Sequence, residues 1–132
     1  MTSTDKVFIF GAGIVVLAAV LFGLAVLGSP QHQQGISRDE LRIARLQQIA
    51  QNINERYQVD GKLPATVVNV APTVDGKDPL TGRAFEYHRL DRSRYTLCAT
   101  FESKSDERPA YGLWDHPAGR YCFRRRALET VF

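Results

Sequence analysis

Cys98 and Cys122 are the two residues whose type and spacing indicate the clearest chemistry. They do not form a Cys-x-x-Cys motif, and the sequence supplies no third and fourth ligand at zinc-binding spacing. An isolated, well-spaced pair in a small domain is typical of a structural disulfide, which persists in the periplasm or outside the cell. The bond would close a loop of about 25 residues, worth roughly 3 kcal/mol of stability in the chain-entropy model. We therefore predict a disulfide with a structural role.

Residues suited to catalysis, or to binding a metal or cofactor, are sparse. The sequence has no Gly-x-Ser-x-Gly motif, P-loop or paired-carboxylate constellation. Asp115 and His116 stand beside Trp114 and allow two interpretations, a site or a turn, and the following Pro117 favours the turn. We expect a protein that is not an enzyme, with no catalytic residue, metal site or cofactor. The histidines are scattered, without a second ligand at metal-binding spacing: His32, His88 and His116.

Arginine is concentrated in the second half of the chain. If the strands that carry these residues are neighbours, the arginines form a basic face that would contact anionic lipid headgroups or an acidic partner. The alternative, which we favour, is a solvated outer sheet face whose aliphatic stems cover apolar surface. The net charge of +3 does not indicate nucleic-acid binding. The candidate face consists of Arg89, Arg92, Arg94, Arg120, Arg124, Arg125 and Arg126.

Residues 7–28 carry no charge and are long enough to cross a membrane. At about 1.5 Å per residue, a helix of this length spans the roughly 30 Å hydrocarbon core. A cleaved signal peptide has a shorter apolar run, and the partial dinucleotide fingerprint at Gly11 and Gly13 has Val16 in place of its third glycine. We therefore predict a transmembrane helix in the lipid bilayer. Ala19 and Gly23 would let a second helix approach closely, although small residues are common in such helices.

Two signals bear on the orientation of this helix, and they disagree. Lys6 precedes the apolar segment, whereas Arg38, Arg42 and Arg45 follow it, so the positive-inside rule slightly opposes an external C-terminus. The cysteine pair favours an oxidising compartment for the C-terminal domain. We give the cysteines more weight because the arginines fall within a predicted amphipathic helix. We expect a single-pass protein of the bacterial inner membrane, with its N-terminus cytoplasmic and its C-terminal domain periplasmic.

The rest of the chain is predicted to form one soluble domain behind a polar linker. Ser37 and Glu40 form a capping box that predicts the start of an amphipathic helix, and Gly61 supplies a stop signal. Apolar residues recur there at three- and four-residue steps: Ile43, Leu46, Ala50, Ile53 and Tyr57. The predicted divisions are a tail at 1–6, the membrane helix at 7–28, a linker at 29–36 and the domain at 37–132.

Alternating apolar residues in the second half of the domain predict three or four short strands. One begins at Phe85, a short stretch around Trp114 is less convincing, and residues 119–125 place Tyr121 and Phe123 on one face. The middle strand presents an apolar row of Tyr95, Leu97, Ala99 and Phe101. Both cysteines fall opposite these rows, so we expect their sulfurs on one side of an antiparallel sheet whose other side packs on the helix. The predicted fold class is α+β.

The order of these elements, together with several short motifs, resembles the major pseudopilin of type II secretion systems and its type IV pilin relatives. The motifs are Gly61-Lys62-Leu63-Pro64, Asp78-Pro79, Thr81-Gly82 and Phe85-Glu86-Tyr87. The similarity covers residues 41–97 and implies an antiparallel sheet packed on a helix.

Two features depart from that family's pattern. Pilins carry a glutamate at the fifth position of the hydrophobic segment, behind a peptidase cleavage site, whereas nothing acidic occurs here between Asp5 and Asp39. The predicted linker also separates two helices that pilins keep nearly continuous. The resemblance therefore implies a pilin-like domain on an ordinary membrane anchor.

These features favour a non-catalytic accessory subunit that is anchored in the membrane and contacts a larger cell-envelope complex. A pilin-like structural subunit that assembles with copies of itself is the alternative. An envelope enzyme would need a reactive centre, and the sequence does not suggest one. We expect the lipid bilayer and a larger membrane protein complex as partners, with homo-oligomers as a second option and no nucleic acid.

Overall fold

The computed structural model describes residues 3–27, 30–68, 74–105 and 112–129 of the chain. The chain divides into two compact units, Met1–Gln34 and Gly35–Phe132. Two helices, three strands and one short 3-10 helix follow one another along the described residues. They are α1 (Ser3–Leu27), α2 (Pro30–Asp60), β1 (Glu86–Arg89), β2 (Arg94–Phe101), the 3-10 helix (Gly112–Trp114) and β3 (Gly119–Arg126).

Helix α1 is the apolar segment predicted from the sequence. Its stretch Asp5–Val26 is 22 residues long, apolar enough to cross a membrane, and none of it is buried against other parts of the protein. Phe8 and Phe22 are each more than 70% exposed. In water such a surface would be strongly unfavourable, because apolar area is stabilised only when it leaves contact with solvent.

Helix α2 begins at Pro30, so the prediction that the helix starts at Ser37 is wrong. Proline is accepted in the first turn because its missing N–H would have no partner there, and its fixed φ suits a helix. Most of the predicted linker is therefore helical, and Ser37 lies within the helix. Gly35 is buried, and a Cβ at this position would lie 2.9 Å from Ser103 Oγ, so the serine side chain would have to shift. A glycine that resembles a linker residue in the sequence thus lies in a close contact between α2 and the loop after β2.

The α+β prediction is confirmed, with α2 packed on a three-stranded antiparallel sheet. The strand order is β1-β2-β3, and each strand is antiparallel to its neighbour. The stretch around Trp114 is a 3-10 turn and not a fourth strand. Leu46 and Leu97 are fully buried at the centre of the core. The other core residues come from α2, the sheet and the loops: Ile43, Ile49, Ala50, Ile53, Leu63, Val67, Phe85, Tyr95, Ala99, Phe101, Trp114, Phe123 and Ala127.

Helix α2 ends where the sequence predicts, because Gly61 takes a backbone conformation that closes the last turn. Gly61 has φ +66°, and its N–H donates to the Tyr57 carbonyl at 2.9 Å. Glycine adopts this left-handed conformation without the Cβ clash that other L-residues meet.

We expect Gly61→Ala to lower the free energy of unfolding by about 1 kcal/mol, because alanine would be strained at this φ. Urea denaturation followed by circular dichroism measures the change. Gly112→Ala is the matched control, since Gly112 has no positive φ and an added Cβ there meets no atom within 4 Å. Equal effects of the two substitutions would contradict the explanation.

Candidate functional site

The outer face of the sheet, on the side away from α2, carries the predicted disulfide. Cys98 on β2 lies directly opposite Cys122 on β3, with 4.0 Å between their Cα atoms and an S–S bond of 2.08 Å. Leu97 and Phe123, the neighbours of the cysteines in sequence, point to the core on the inner face. The predicted pairing and its placement opposite the apolar rows are therefore confirmed.

An ion pair joins the two edge strands on the same face of the sheet as this disulfide. Glu86 on β1 is opposite Cys98, and Arg120 on β3 is opposite Thr100, so the pair reaches across the central strand β2. Arg120 Nε donates to Glu86 Oε1 at 3.0 Å, and Nη2 donates to Oε2. The hydrogen bond from Arg120 holds the pKa of the Glu86 carboxyl below its usual range. The pair neutralises the charge of Arg120.

Three of the predicted arginines come together at the other end of the outer face, and we call them the outer arginine cluster: Arg94, Arg124 and Arg126. Arg94 and Arg126 are directly opposite each other, and Arg124 is two residues from Arg126 on the same strand face. Arg94 is paired with Asp91. Within the part of the chain that the structure describes, no carboxylate is paired with the guanidinium of Arg124 or Arg126. Among the described residues, the guanidinium groups of Arg124 and Arg126 thus carry positive charge without an ion-pair partner, and the nearby Glu129 carboxylate accepts the backbone N–H of Arg126 at 3.1 Å.

The structure separates the other predicted arginines from this cluster. Arg125 is 5% exposed on the inner face, with its guanidinium carbon 5.1 Å from the centroid of the Trp114 ring, where a cation–π contact stabilises it. It consequently does not belong to a solvent-facing basic surface. Arg89 and Arg92 lie at the opposite edge, where they line a groove of about 760 Å³ with Tyr57 and Lys62. The single basic face predicted from the sequence is thus divided among separate locations.

The turn between β1 and β2 is fixed by the carboxylate of Asp91. Asp91 Oδ1 accepts hydrogen bonds from the N–H groups of Ser93 at 2.8 Å and Arg94 at 2.7 Å. These backbone bonds, together with the Arg94 guanidinium, lower the pKa of Asp91 to about 2. The ionised carboxylate is therefore part of the folded turn.

This depressed pKa predicts how stability depends on pH. The usual pKa of an aspartate is 3.8, so below this pH the Asp91 carboxyl takes up a proton in the unfolded chain. In the folded protein it stays ionised until about pH 2. We expect its stabilising contribution to be present above about pH 4 and to be lost as the pH falls to about 2. In Asp91→Asn this part of the pH dependence should disappear, which unfolding curves of both proteins across that range would measure. Parallel pH profiles would contradict the assignment.

A buried cluster of charges, not predicted from the sequence, joins the N-terminal part of α2 to two loops. Arg42 donates to Asp39 at 2.8 Å, to Asp78 at 3.1 Å and to Glu102 at 3.2 Å. Asp39 also accepts the N–H of Glu102 at 3.0 Å and that of Ser103 at 2.8 Å. A sequence signal exists in retrospect, because Asp39 extends the three- and four-residue spacing of the buried apolar stripe.

The electrostatics of this cluster indicate a structural role. Burial raises the pKa of Asp78, but hydrogen bonds from the Leu80 N–H and from Arg42 outweigh burial, so the Asp78 pKa lies below its usual value. For Arg42, burial lowers the pKa, but the hydrogen bonds to its carboxylate partners have the larger effect, so the Arg42 pKa lies above its usual value. Among the described residues, no buried side-chain nitrogen or oxygen lacks a hydrogen-bond partner. The cluster is therefore a fully hydrogen-bonded contact that joins α2 to the two loops.

The remaining candidates from the sequence are the three histidines and the adjacent residues Asp115 and His116. His116 is buried, its ring stacks on Phe101 with centroids 3.6 Å apart, and Ser105 hydrogen-bonds to its backbone. His88 is exposed beside Glu86, and the side chain of His32 lies outside the described residues. Across the described ranges, no three His, Cys, Asp or Glu side chains are grouped as a metal site requires.

The predicted helix–helix contact at Ala19 and Gly23 stays a prediction. Both residues lie on α1, Ala19 is exposed and Gly23 is partly exposed, and none of the described atoms lies within 4 Å of a Cβ built at Gly23. This face of the helix is sterically open to a second helix.

Comparison of the chain with protein-family models, curated proteins and solved structures finds no match. The resemblance to pilins thus rests on the quoted motifs and on the order of the elements.

Proposed function

We propose that this protein is a non-catalytic, membrane-anchored subunit that contacts a larger cell-envelope complex through its folded domain. The observation that carries the proposal is the exposed apolar surface of α1, joined in one chain to a disulfide-containing domain. A 22-residue apolar helix finds its stable environment in a bilayer, where its backbone hydrogen bonds are satisfied within the helix. The domain has a hydrophobic core of its own.

The disulfide supports a specific orientation. A bond between Cys98 and Cys122 persists on the oxidising side of a membrane, whereas cytosolic thiols are kept reduced. We therefore place the domain in the periplasm of a bacterium and the N-terminus in the cytoplasm, with α1 crossing the inner membrane once. We favour an interaction role over catalysis because the buried charges of the described residues form hydrogen-bonded structural pairs, whereas Arg124 and Arg126 lie exposed on the outer face.

Purification of the tagged full-length chain in mild detergent tests this function. Native mass and the identity of co-purifying proteins are the two measurements. We expect a different protein in stoichiometric amount. A monomer that carries no partner when extracted from its native host would contradict the proposal.

The second candidate is a pilin-like structural subunit, and one observation favours it. Helix α2 begins at Pro30, so most of the predicted linker is helical. The linker between the two helices, one of the two departures from the pilin pattern, is therefore shorter than predicted. The absence of an acidic residue between Asp5 and Asp39 still opposes this candidate. In the same purification, homogeneous self-assembly of this chain would favour the pilin-like alternative over the accessory subunit.

A further inference from the structure

Strand β3 has one edge paired with β2 and one edge without a partner strand in the described sheet. The strand runs for eight residues, Gly119–Arg126, in unbroken register with β2. An open edge presents a row of backbone N–H and C=O groups that pair readily with another extended chain. Strand β1, at the other edge, has only four residues.

The register identifies which backbone groups of β3 point away from the sheet. Cys98 and Cys122 have Cα atoms 4.0 Å apart, as in a non-hydrogen-bonded antiparallel pair. The N–H and C=O groups of Arg120, Cys122 and Arg124 therefore face the open side. Arg126 agrees with this alternation, because its N–H reaches Glu129 Oε2 at 3.1 Å. Among the described residues, the portion from Arg120 to Arg124 has no partner strand on this side.

Side chains on the two faces of this open edge have different chemistry. On the outer face, Arg124 and Arg126 carry the positive charge of the outer arginine cluster. On the inner face, Tyr121 is 37% exposed, and Leu113 of the 3-10 helix is 48% exposed. Both line a groove of about 450 Å³ along the edge of the strand, which Cys122 and Arg124 of the outer face line as well. Asp115 also lines this groove, so an apolar residue is favoured over an acidic one on that side.

We propose that the open edge of β3 binds an extended acidic segment of a partner protein as an additional strand. Side chains of an extended chain alternate between faces, so residues two apart lie about 6.8 Å from each other on one face. A segment in which acidic and apolar residues alternate places carboxylates beside Arg124 and Arg126 and apolar side chains beside Tyr121 and Leu113. Main-chain hydrogen bonds supply affinity in this mode of recognition, and the alternating side chains supply specificity.

A second copy of this chain fits the edge poorly. Antiparallel pairing of β3 with β3 would bring Arg124 and Arg126 of one copy onto the same face as Arg124 and Arg126 of the other. Like charges in directly opposite positions destabilise a strand pair. The arginines therefore oppose self-association through this edge, and at the same time they attract a strand of opposite charge.

The test uses full-length protein in detergent micelles and a short fluorescent peptide of alternating glutamate and valine. We expect saturable binding, measured by fluorescence anisotropy. Arg124→Glu should weaken binding about tenfold, which corresponds to about 1.4 kcal/mol. Arg89→Glu is the matched control, because it changes net charge equally on the opposite edge strand; it should change affinity less than twofold. Equal weakening by both variants would show general charge attraction and overturn the proposal.

A modified peptide tests strand addition without altering the protein fold. In an extended peptide, successive N–H groups point to opposite sides, so N-methylation of alternate residues blocks one side only. One methylated set should abolish binding and the other should retain it. Retention by both sets would overturn the proposal.

This inference rests on the proposed interaction role, and the two can fail separately. A co-purifying partner that Arg124→Glu still captures would refute the β3 site alone, whereas the absence of any partner would refute the role itself.

Discussion

Replacement of Arg42 by methionine is expected to lower the free energy of unfolding by about 3–5 kcal/mol, because it leaves buried carboxylates without their counter-ion. Asp39 and Asp78 are both at least 90% buried and both hydrogen-bond to Arg42. Methionine retains much of the apolar stem, so the loss is attributed to charge and hydrogen bonding. Urea denaturation of the full chain in micelles, followed by the fluorescence of Trp114, measures this change.

Arg45→Met is the matched control for Arg42→Met. Arg45 lies on the same helix one turn later, and its described contact is a hydrogen bond to the Asp75 carbonyl at 3.4 Å. Surface substitutions of this kind usually change stability by less than about 0.5 kcal/mol. A loss below about 1 kcal/mol in Arg42→Met would mean that the cluster does not hold α2 to the loops.

Removal of the disulfide is the second large effect. Cys98 and Cys122 are 24 residues apart in sequence, and a cross-link closing a loop of this size contributes about 3 kcal/mol by restricting the unfolded chain. We expect the double variant Cys98→Ala, Cys122→Ala to lose about that amount, a large fraction of the 5–15 kcal/mol typical of a domain. Denaturation curves of the double variant and of the wild-type protein, measured with and without reductant, give the change in the free energy of unfolding.

The reduced wild-type protein separates the cross-link from packing. Cys98 is buried, so alanine also removes a sulfur from contact with its neighbours. If the cross-link dominates, reduced wild type and the double variant should unfold at nearly the same denaturant concentration. A reduced protein as stable as the oxidised one would contradict the expected contribution.

The elements predicted well from the sequence are those with a clear local period. Apolar residues at three- and four-residue steps identify the buried side of α2, and strict alternation identifies the core face of β2. The same alternation places Cys98 and Cys122 on the outer face. The same alternation, continued to the end of β3, places Arg125 on the inner face with Tyr121 and Phe123. The prediction instead grouped Arg125 with the exposed arginines because these residues are adjacent in the sequence.

Features that depend on distant residues were not predicted. Ser37 and Glu40 have the spacing of a capping box, yet the helix continues back to Pro30, and Gly35 packs against Ser103. The contacts of Asp39 and Arg42 with Glu102 join residues 63 and 60 positions apart, a separation at which local periodicity carries no information. The proposed partner strand depends in the same way on the register between β2 and β3.

We propose that α1 spans a membrane and holds the domain in an oxidising compartment. The most direct test of this claim combines carbonate extraction of membranes from cells that express the chain with rapid thiol trapping of Cys98 and Cys122. We predict that the protein stays in the membrane fraction, that both cysteines are oxidised, and that protease added from the periplasmic side removes the domain. A carbonate-soluble protein with both thiols free would contradict the claim.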